Sequence, residues 1–207
     1  MSGTYIVIEG QDATGKSTQV ELLADHLKKS TQKPVVTMHE PDGDLASAHV
    51  LRELIKNKDY NLEPLTHVLL FTAARLELWK KLAEPVLDEG GYVISARNWW
   101  STLAYQGYGQ GVSRDKIIKI TKQTMPFHYL NPDQSLILTL DEAERLARQS
   151  SRDDNSSHDT FESKSSDFQQ KVDHAYLKIA KDFNIPTLDT SDTIEVVNRR
   201  IREELGI

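Results

Sequence analysis

Gly10-Gln11-Asp12-Ala13-Thr14-Gly15-Lys16-Ser17 fits the spacing G-x-x-x-x-G-K-[ST] and lies between a β-branched run and an amphipathic segment of helical period. Glycines let such a backbone curl until successive N–H groups point inward. The start of the following helix adds partial positive charge, Lys16 can reach the outer phosphates, and Ser17 can ligate Mg²⁺. The implied ligand is a nucleoside triphosphate, held by Gly10, Asp12, Ala13, Thr14, Gly15, Lys16, Ser17 and Thr18. Alone, that cradle leaves kinase, hydrolase and switch equally open.

Three further groupings carry chemistry. Phe71 and Arg75 are four apart on one expected helix, so an aromatic face and a guanidinium share a side and can stack on, and donate to, a planar base. Read alone, the pair fits core packing and a surface ion pair as well. Arg97, Ser101 and Tyr105 are also spaced by four, just after a strand, where ligands of open α/β sheets bind. Finally, Arg145, Arg148 and Arg152 fall on one face of a helical segment with Ala143, Leu146 and Ala147 opposite. That is the pattern of a lid with cationic fingers, and equally of any solvated amphipathic helix.

The elements that must position these groups alternate. Strand-like runs cover Tyr5 to Ile8, Pro34 to Thr37, Tyr92 to Ser95, Ser135 to Leu140 and Pro186 to Leu188. Helical periodicity covers Lys16 to Lys29, Leu45 to Asn57, Glu63 to Asp88, Asn98 to Gln106, Arg114 to Met125, Glu142 to Arg152, Phe161 to Phe183 and Thr193 to Leu205. Alternation of this kind predicts an α/β fold of βαβ units around a five-stranded parallel sheet. The stretch from Gln149 to Ser166, dense in Ser, Asp and Asn, buries almost nothing and should be mobile unless something docks on it.

Taken together, these stretches resemble the thymidylate kinase family of P-loop nucleoside monophosphate kinases. The resemblance rests on Tyr5 to Gly10 running into Asp12 and Gly15-Lys16-Ser17-Thr18-Gln19, and on Glu40-Pro41 with Gly43. Phe71-Thr72-Ala73-Ala74-Arg75 is similar to the family's F-A-A-D-R helix, and Arg97 with Ser101-Thr102 and Ala104-Tyr105-Gln106-Gly107 to its D-R-x-x-x-S-x-x-A-Y-Q-G segment. Pro132-Asp133 before Leu136 to Asp141, and Phe168, Val172, Tyr176-Leu177 and Ala180, extend the likeness over nearly the whole chain.

The resemblance implies a three-layer α/β/α P-loop kinase fold, one domain over residues 1–207 with a small lid around 145–162. It implies transfer of the γ-phosphate of ATP to dTMP, with Mg²⁺ as cofactor and a homodimer. Arg97 would hold the acceptor monophosphate, Phe71 and Arg75 the thymine, and Ser101, Thr102 and Gln106 the base pocket. Tyr105 would crowd the sugar 2′ position, Asp12 accept from the 3′-hydroxyl, and Glu40, Pro41 and Arg52 complete the acceptor site. Family members without a basic residue in the phosphate loop supply the catalytic arginine from the lid; Ala13 stands at that loop position, so Arg148 or Arg152 is implied beside Lys16 and Arg97. Ser17 and Glu40 are the implied metal residues, with Glu9 a weaker candidate.

Five positions depart from the pattern. Ala96 replaces the Asp before Arg97, His39 an Arg, Ala74 an Asp, Asp42 a Gly and Thr160 an Arg of the lid. They leave open a kinase of the same architecture for another nucleotide or small phosphoryl acceptor, and a catalytically weak nucleotide-binding homologue.

Composition narrows the field further. The chain has 207 residues, a net charge of −6 and no cysteine, which excludes disulfides, thiolate metal sites and a cysteine nucleophile. An acidic total argues against a nucleic-acid polymer as partner. The longest apolar stretch, Val68 to Phe71, is far below the roughly 20 residues of a membrane span. Met1 to Thr4 lead straight into a strand-like run with no signal-peptide pattern, so a cytoplasmic protein is expected. The histidines show no ligand spacing, and Trp99 and Trp100 read as core or dimer contacts.

Overall fold

A computed structural model describes residues 2–41, 45–151, 161 and 165–207. Five parallel strands form one sheet in the order β2-β3-β1-β4-β5: β1 Thr4–Gly10, β2 Val35–His39, β3 Tyr92–Ala96, β4 Gln134–Thr139 and β5 Thr187–Asp189. Each expected strand is present, with ends displaced by no more than two residues. β1 is buried from Tyr5 onward because helices cover both sheet faces, which is why its sequence is a continuous apolar run rather than an alternation. Its side chains divide between two cores by the period of two. Ile6 and Ile8 pack with Val20, Leu23 and Leu27 of α1 (Lys16–Ser30) and with Val197, Ile201 and Leu205 of α10 (Ile194–Leu205). Tyr5 and Val7 pack on the other side, against a larger core from the remaining helices. The outcome is the expected α/β/α layering.

Those remaining helices are α2 Ala46–Lys56, α3 Pro64–Leu78, α4 Glu84–Asp88, α5 Trp99–Thr102, α6 Arg114–Thr124, α7 Phe127–Leu130, α8 Glu142–Ser150 and α9 Ser166–Phe183. The rod expected from Glu63 to Asp88 is interrupted by a π turn, Trp79–Ala83. Pro85 offers no N–H to the carbonyl four residues back, and the wider turn takes up the mismatch. A second π turn, Leu103–Gly109, continues α5 and contains Tyr105 and Gln106. Trp99 and Trp100 are buried and pack on Phe183 at ring distances of 5.4 and 5.9 Å, so they belong to the core.

The order places β1 between β3 and β4, with its first connection running to one edge of the sheet and later chain crossing to the other. The carboxyl end of β1 is thus the switch point at which open α/β sheets bind ligands, and the phosphate-loop motif begins there. α8 starts at Glu142 as expected but is described only to Ser150 and Ser151. Arg152, Thr160, Asp42 and Gly43 lie outside the described residues, as does most of the expected lid.

Candidate active site

The phosphate loop has the backbone its sequence requires. Gly10 (φ 139°) and Gly15 (φ 89°) adopt dihedrals that side chains rarely tolerate, and a Cβ on Gly10 would stand 2.4 Å from the Leu138 carbonyl oxygen of β4. Ala13 is also left-handed, at φ 67°. Lys16 is buried and donates to the Gln11 carbonyl at 2.6 Å, so its ammonium curls over the loop. Ser17 and Thr18 are exposed at the start of α1.

Arg97 sits in front of this loop with a left-handed backbone (φ 77°), an unfavourable conformation for a non-glycine residue that turns β3 sharply into α5. Its backbone N–H is held by the Ile8 carbonyl, and Asn98 caps α5. Arg97 Nη1 donates to the Gly10 carbonyl (3.2 Å), Ser101 Oγ (3.0 Å) and the Tyr176 hydroxyl (3.0 Å), while Nη2 pairs with Asp12. The Tyr105 hydroxyl donates to the other Asp12 oxygen at 2.8 Å, and its ring lies 5.4 Å from Arg97 Cζ. Asp12, Arg97, Ser101 and Tyr105 are therefore one constellation. Burial disfavours charge on Asp12, but Arg97 and Lys16, with hydrogen bonds from Tyr105 and Arg97, hold its carboxyl well below the usual range. On Arg97 burial likewise works against the charge, and Asp12 more than restores it.

Behind Arg97 lies a hub that sequence reasoning undervalued. Glu9 is fully buried and accepts from the backbone N–H groups of Gly10, Asn98 and Ser101 and from the hydroxyls of Ser101 and Tyr176. Ser101 thus points into this network. Tyr176 links the hub to Arg97 from α9; a phenol within the apolar stripe Phe168, Val172, Tyr176 was the available signal. Desolvation pushes the Tyr176 phenol far up, so it acts only as a hydrogen-bonding group.

Phe71 and Arg75 share a face of α3 as expected, the ring 5.3 Å from the guanidinium carbon. Arg75 Nε pairs with Glu40 at 2.9 Å and Nη1 donates to Thr102 Oγ1 at 2.6 Å. Gln106 is buried nearby on the π turn, its amide Nε2 without a partner among the described residues. Phe161 lies 6.0 Å from the Phe71 ring and 6.1 Å from the Tyr105 ring. Pro41 is buried at the end of β2, and Arg52 is half-buried on α2, which packs along α3.

The chain belongs to the thymidylate kinase family. A sequence model of that family matches residues 8–201. The chain is 34% identical over 211 residues to the thymidylate kinase of Prochlorococcus marinus (strain AS9601), covering 99% of this chain and 96% of that one. With the thymidylate kinase of Exiguobacterium sibiricum the identity is 30% over 208 residues, covering 99% and 95%. The crystal structure of thymidylate kinase from Ehrlichia chaffeensis superposes with a TM-score of 0.77 at 27% identity over the full length of both chains. The family places the chain among the ATP-dependent nucleoside monophosphate kinases, phosphotransferases that use the P-loop fold.

For a thymidylate kinase the departures have concrete surroundings. Ala96 is buried at the end of β3, in register with Ile8 and His39, and places no carboxylate there. His39 pairs with Glu21 of α1 at 2.9 Å. Glu40 is fully buried and its Oε2 is occupied by Arg75 and Tyr129, so it faces the base side of the site. Glu9 is enclosed by its five donors. Among the described residues no group of three or more His, Asp or Glu could hold a metal unaided. Mg²⁺ asks for less, since it keeps waters and leans on substrate phosphates, and the exposed Ser17 hydroxyl fits that need.

Of the two readings open for α8, the structure departs from the solvated helix. Arg145 is buried while Leu146 is half exposed, so α8 turns its cationic face inward. Arg148 donates to Glu144 Oε1 and to the Thr190 carbonyl, both at 2.7 Å, which ties α8 to the end of β5.

Proposed function

We propose that this chain performs the reaction its family is named for, transfer of the γ-phosphoryl group of ATP to dTMP, yielding ADP and dTDP. The observation that carries the reading is the constellation of Asp12, Arg97 and Tyr105 at the mouth of the phosphate loop, where an acceptor must meet the γ-phosphate. The loop amides and Lys16 hold the β- and γ-phosphates. Arg97 grips the acceptor phosphate, with Glu9, Ser101 and Tyr176 fixing its fork. Phe71 stacks on thymine, Arg75 donates to it, and Thr102 and Gln106 line its edge. Arg52 and Pro41 close the acceptor side, and Tyr105 stands against the sugar with Asp12 at its 3′-hydroxyl.

An oxygen of the dTMP phosphate attacks the γ-phosphorus in line as the bond to the β-phosphate oxygen breaks, and ADP leaves with that electron pair. The attacking oxygen is already anionic, since a phosphate monoester loses its second proton near about pH 6. No general base is needed. Catalysis is then placement of positive charge by Lys16, Arg97 and a lid arginine. Arg148 gives its Nη2 to Glu144 and to the Thr190 carbonyl, a contact that anchors α8, and we assign the lid role to Arg152 as the next arginine on that face. Mg²⁺ would be held by Ser17 and the ATP phosphates, and would supply neutralisation of the triphosphate charge.

We also infer a homodimer and a cytoplasmic location. Val50 of α2 and Leu69 of α3 are 60% and 50% exposed beside a groove lined by Ala46, Leu51, Ala73 and Leu76, an apolar face that a second copy would cover. No helix among the described residues is long and apolar enough to cross a membrane.

The test is incubation with ATP, Mg²⁺ and each nucleoside monophosphate in turn, following ADP and diphosphate. Turnover with dTMP well above the others is expected. ADP formation with another monophosphate but not dTMP would overturn the assignment.

A further inference from the structure

The core beneath the base site contains a polar chain to which the reaction above gives no role. Tyr129 of α7 is fully buried, its ring stacked on Tyr5 (6.0 Å, 23°) and edge-on to Trp79 (5.4 Å, 85°). Its hydroxyl donates to Glu40 Oε2 at 2.7 Å. The same oxygen accepts from Arg75 Nε at 2.9 Å, and Arg75 Nη1 donates to Thr102 Oγ1 at 2.6 Å. Arg75 and Glu40 are 3% and 0% exposed, so their pairing is fully withdrawn from water. Such a pair holds one geometry only when added hydrogen bonds satisfy its carboxylate. Tyr129 supplies the added bond on Oε2, Oε1 having no partner among the described residues, and a guanidinium fixed at Nε and one Nη has no rotation left, so the direction of its remaining donors is set.

We propose that Tyr129 is a positioning residue for base recognition: by holding the Glu40 carboxylate it orients Arg75, so a core hydroxyl two side chains behind the guanidinium sets affinity for thymine. This rests on Arg75 being the base contact. The Glu40 carboxylate is faced by Arg75 from α3, Tyr129 from α7, and Tyr5 and Glu9 from β1.

The experiment measures thymidine affinity by calorimetry at neutral pH, together with kcat and KM for dTMP. Wild type, Y129F, E40Q, the double variant and R75A are compared. We expect Y129F to weaken thymidine about three- to tenfold and to raise the dTMP KM alike, with kcat changed by less than about twofold. Because the hydroxyl acts through Glu40, Y129F adds little in the E40Q background. If R75A weakens thymidine but Y129F binds as wild type, the positioning role falls while the site stands. A Y129F effect that persists in full in the E40Q background also overturns it, leaving a merely structural hydroxyl. If R75A itself binds thymidine normally, the reading of the base site falls too.

Discussion

Asp12 and Arg97 close an ion pair across the mouth of the phosphate loop, joining the triphosphate cradle to the acceptor side. The folded protein binds the Asp12 proton less tightly than the unfolded chain does, because Arg97 and Lys16 overcome the cost of burial. Its ionisation therefore stabilises the fold above the unfolded carboxylate pKa of about 4, and that contribution is lost as pH falls toward the depressed folded value. Asp12→Asn should lower Tm relative to wild type at pH 7, and the gap should narrow in melts run at pH 4 and 3. An equal gap throughout would mean that the pair contributes no stability.

Arg97 spends four hydrogen bonds and a left-handed backbone to aim a planar fork at one place. A lysine keeps the charge but not the fork. Arg97→Lys should cost kcat/KM for dTMP on the order of 10²-fold, with the KM for ATP within about threefold. Steady-state kinetics with each substrate varied in turn decides this, and parallel losses for both substrates would place Arg97 outside the acceptor subsite.

The elements that rest on period and local backbone chemistry were legible from sequence. The apolar run of β1 and the three-four spacing of Val20, Leu23 and Leu27 mark a buried strand and an amphipathic helix, and the structure has both. The glycine pattern likewise marks the loop, whose backbone Gly10 and Gly15 make passable. Less visible were contacts between elements distant in sequence. Tyr176 reaches Glu9 across 167 positions and Tyr129 reaches Glu40 across 89, and a buried tyrosine in an apolar stripe reads as plain core. Glu40 illustrates the same limit. A carboxylate after β2 reads as a metal residue, and only packing shows that Arg75 and Tyr129 have taken one of its two oxygens, Oε2.

Tyr105 serves two purposes that mutations can separate. Its hydroxyl binds Asp12 while its ring, packed near Phe161 and Phe168, is the group we propose to stand against the sugar. Tyr105→Phe should keep the preference for dTMP over its ribose counterpart, because the ring still excludes the extra hydroxyl. Tyr105→Ala should reduce that preference about tenfold or more, the scale at which pockets discriminate one small group. The ratio of kcat/KM values for ribothymidine monophosphate and dTMP measures it, and loss of preference in the phenylalanine variant would assign selectivity to the hydroxyl instead.

The two lid arginines should separate by what each already holds. Arg148 bridges Glu144 and the Thr190 carbonyl, a contact that fastens α8 to the end of β5 and leaves its guanidinium committed. Removing it takes away a charge-assisted hydrogen bond, so Arg148→Ala should lower Tm while kcat falls by less than about fivefold. Arg152 follows in the polar stretch and, with Ala13 in the loop offering no cation, is the residue we propose to meet charge on the moving phosphoryl group. Arg152→Ala should therefore lower kcat about 10²-fold or more with the KM for dTMP nearly unchanged, since charge that develops only in the transition state leaves ground-state binding alone. Turnover and melting curves for both variants decide between the residues. A large loss of turnover in the Arg148 variant alone would transfer the catalytic role to it and require the contact with Thr190 to open during each cycle.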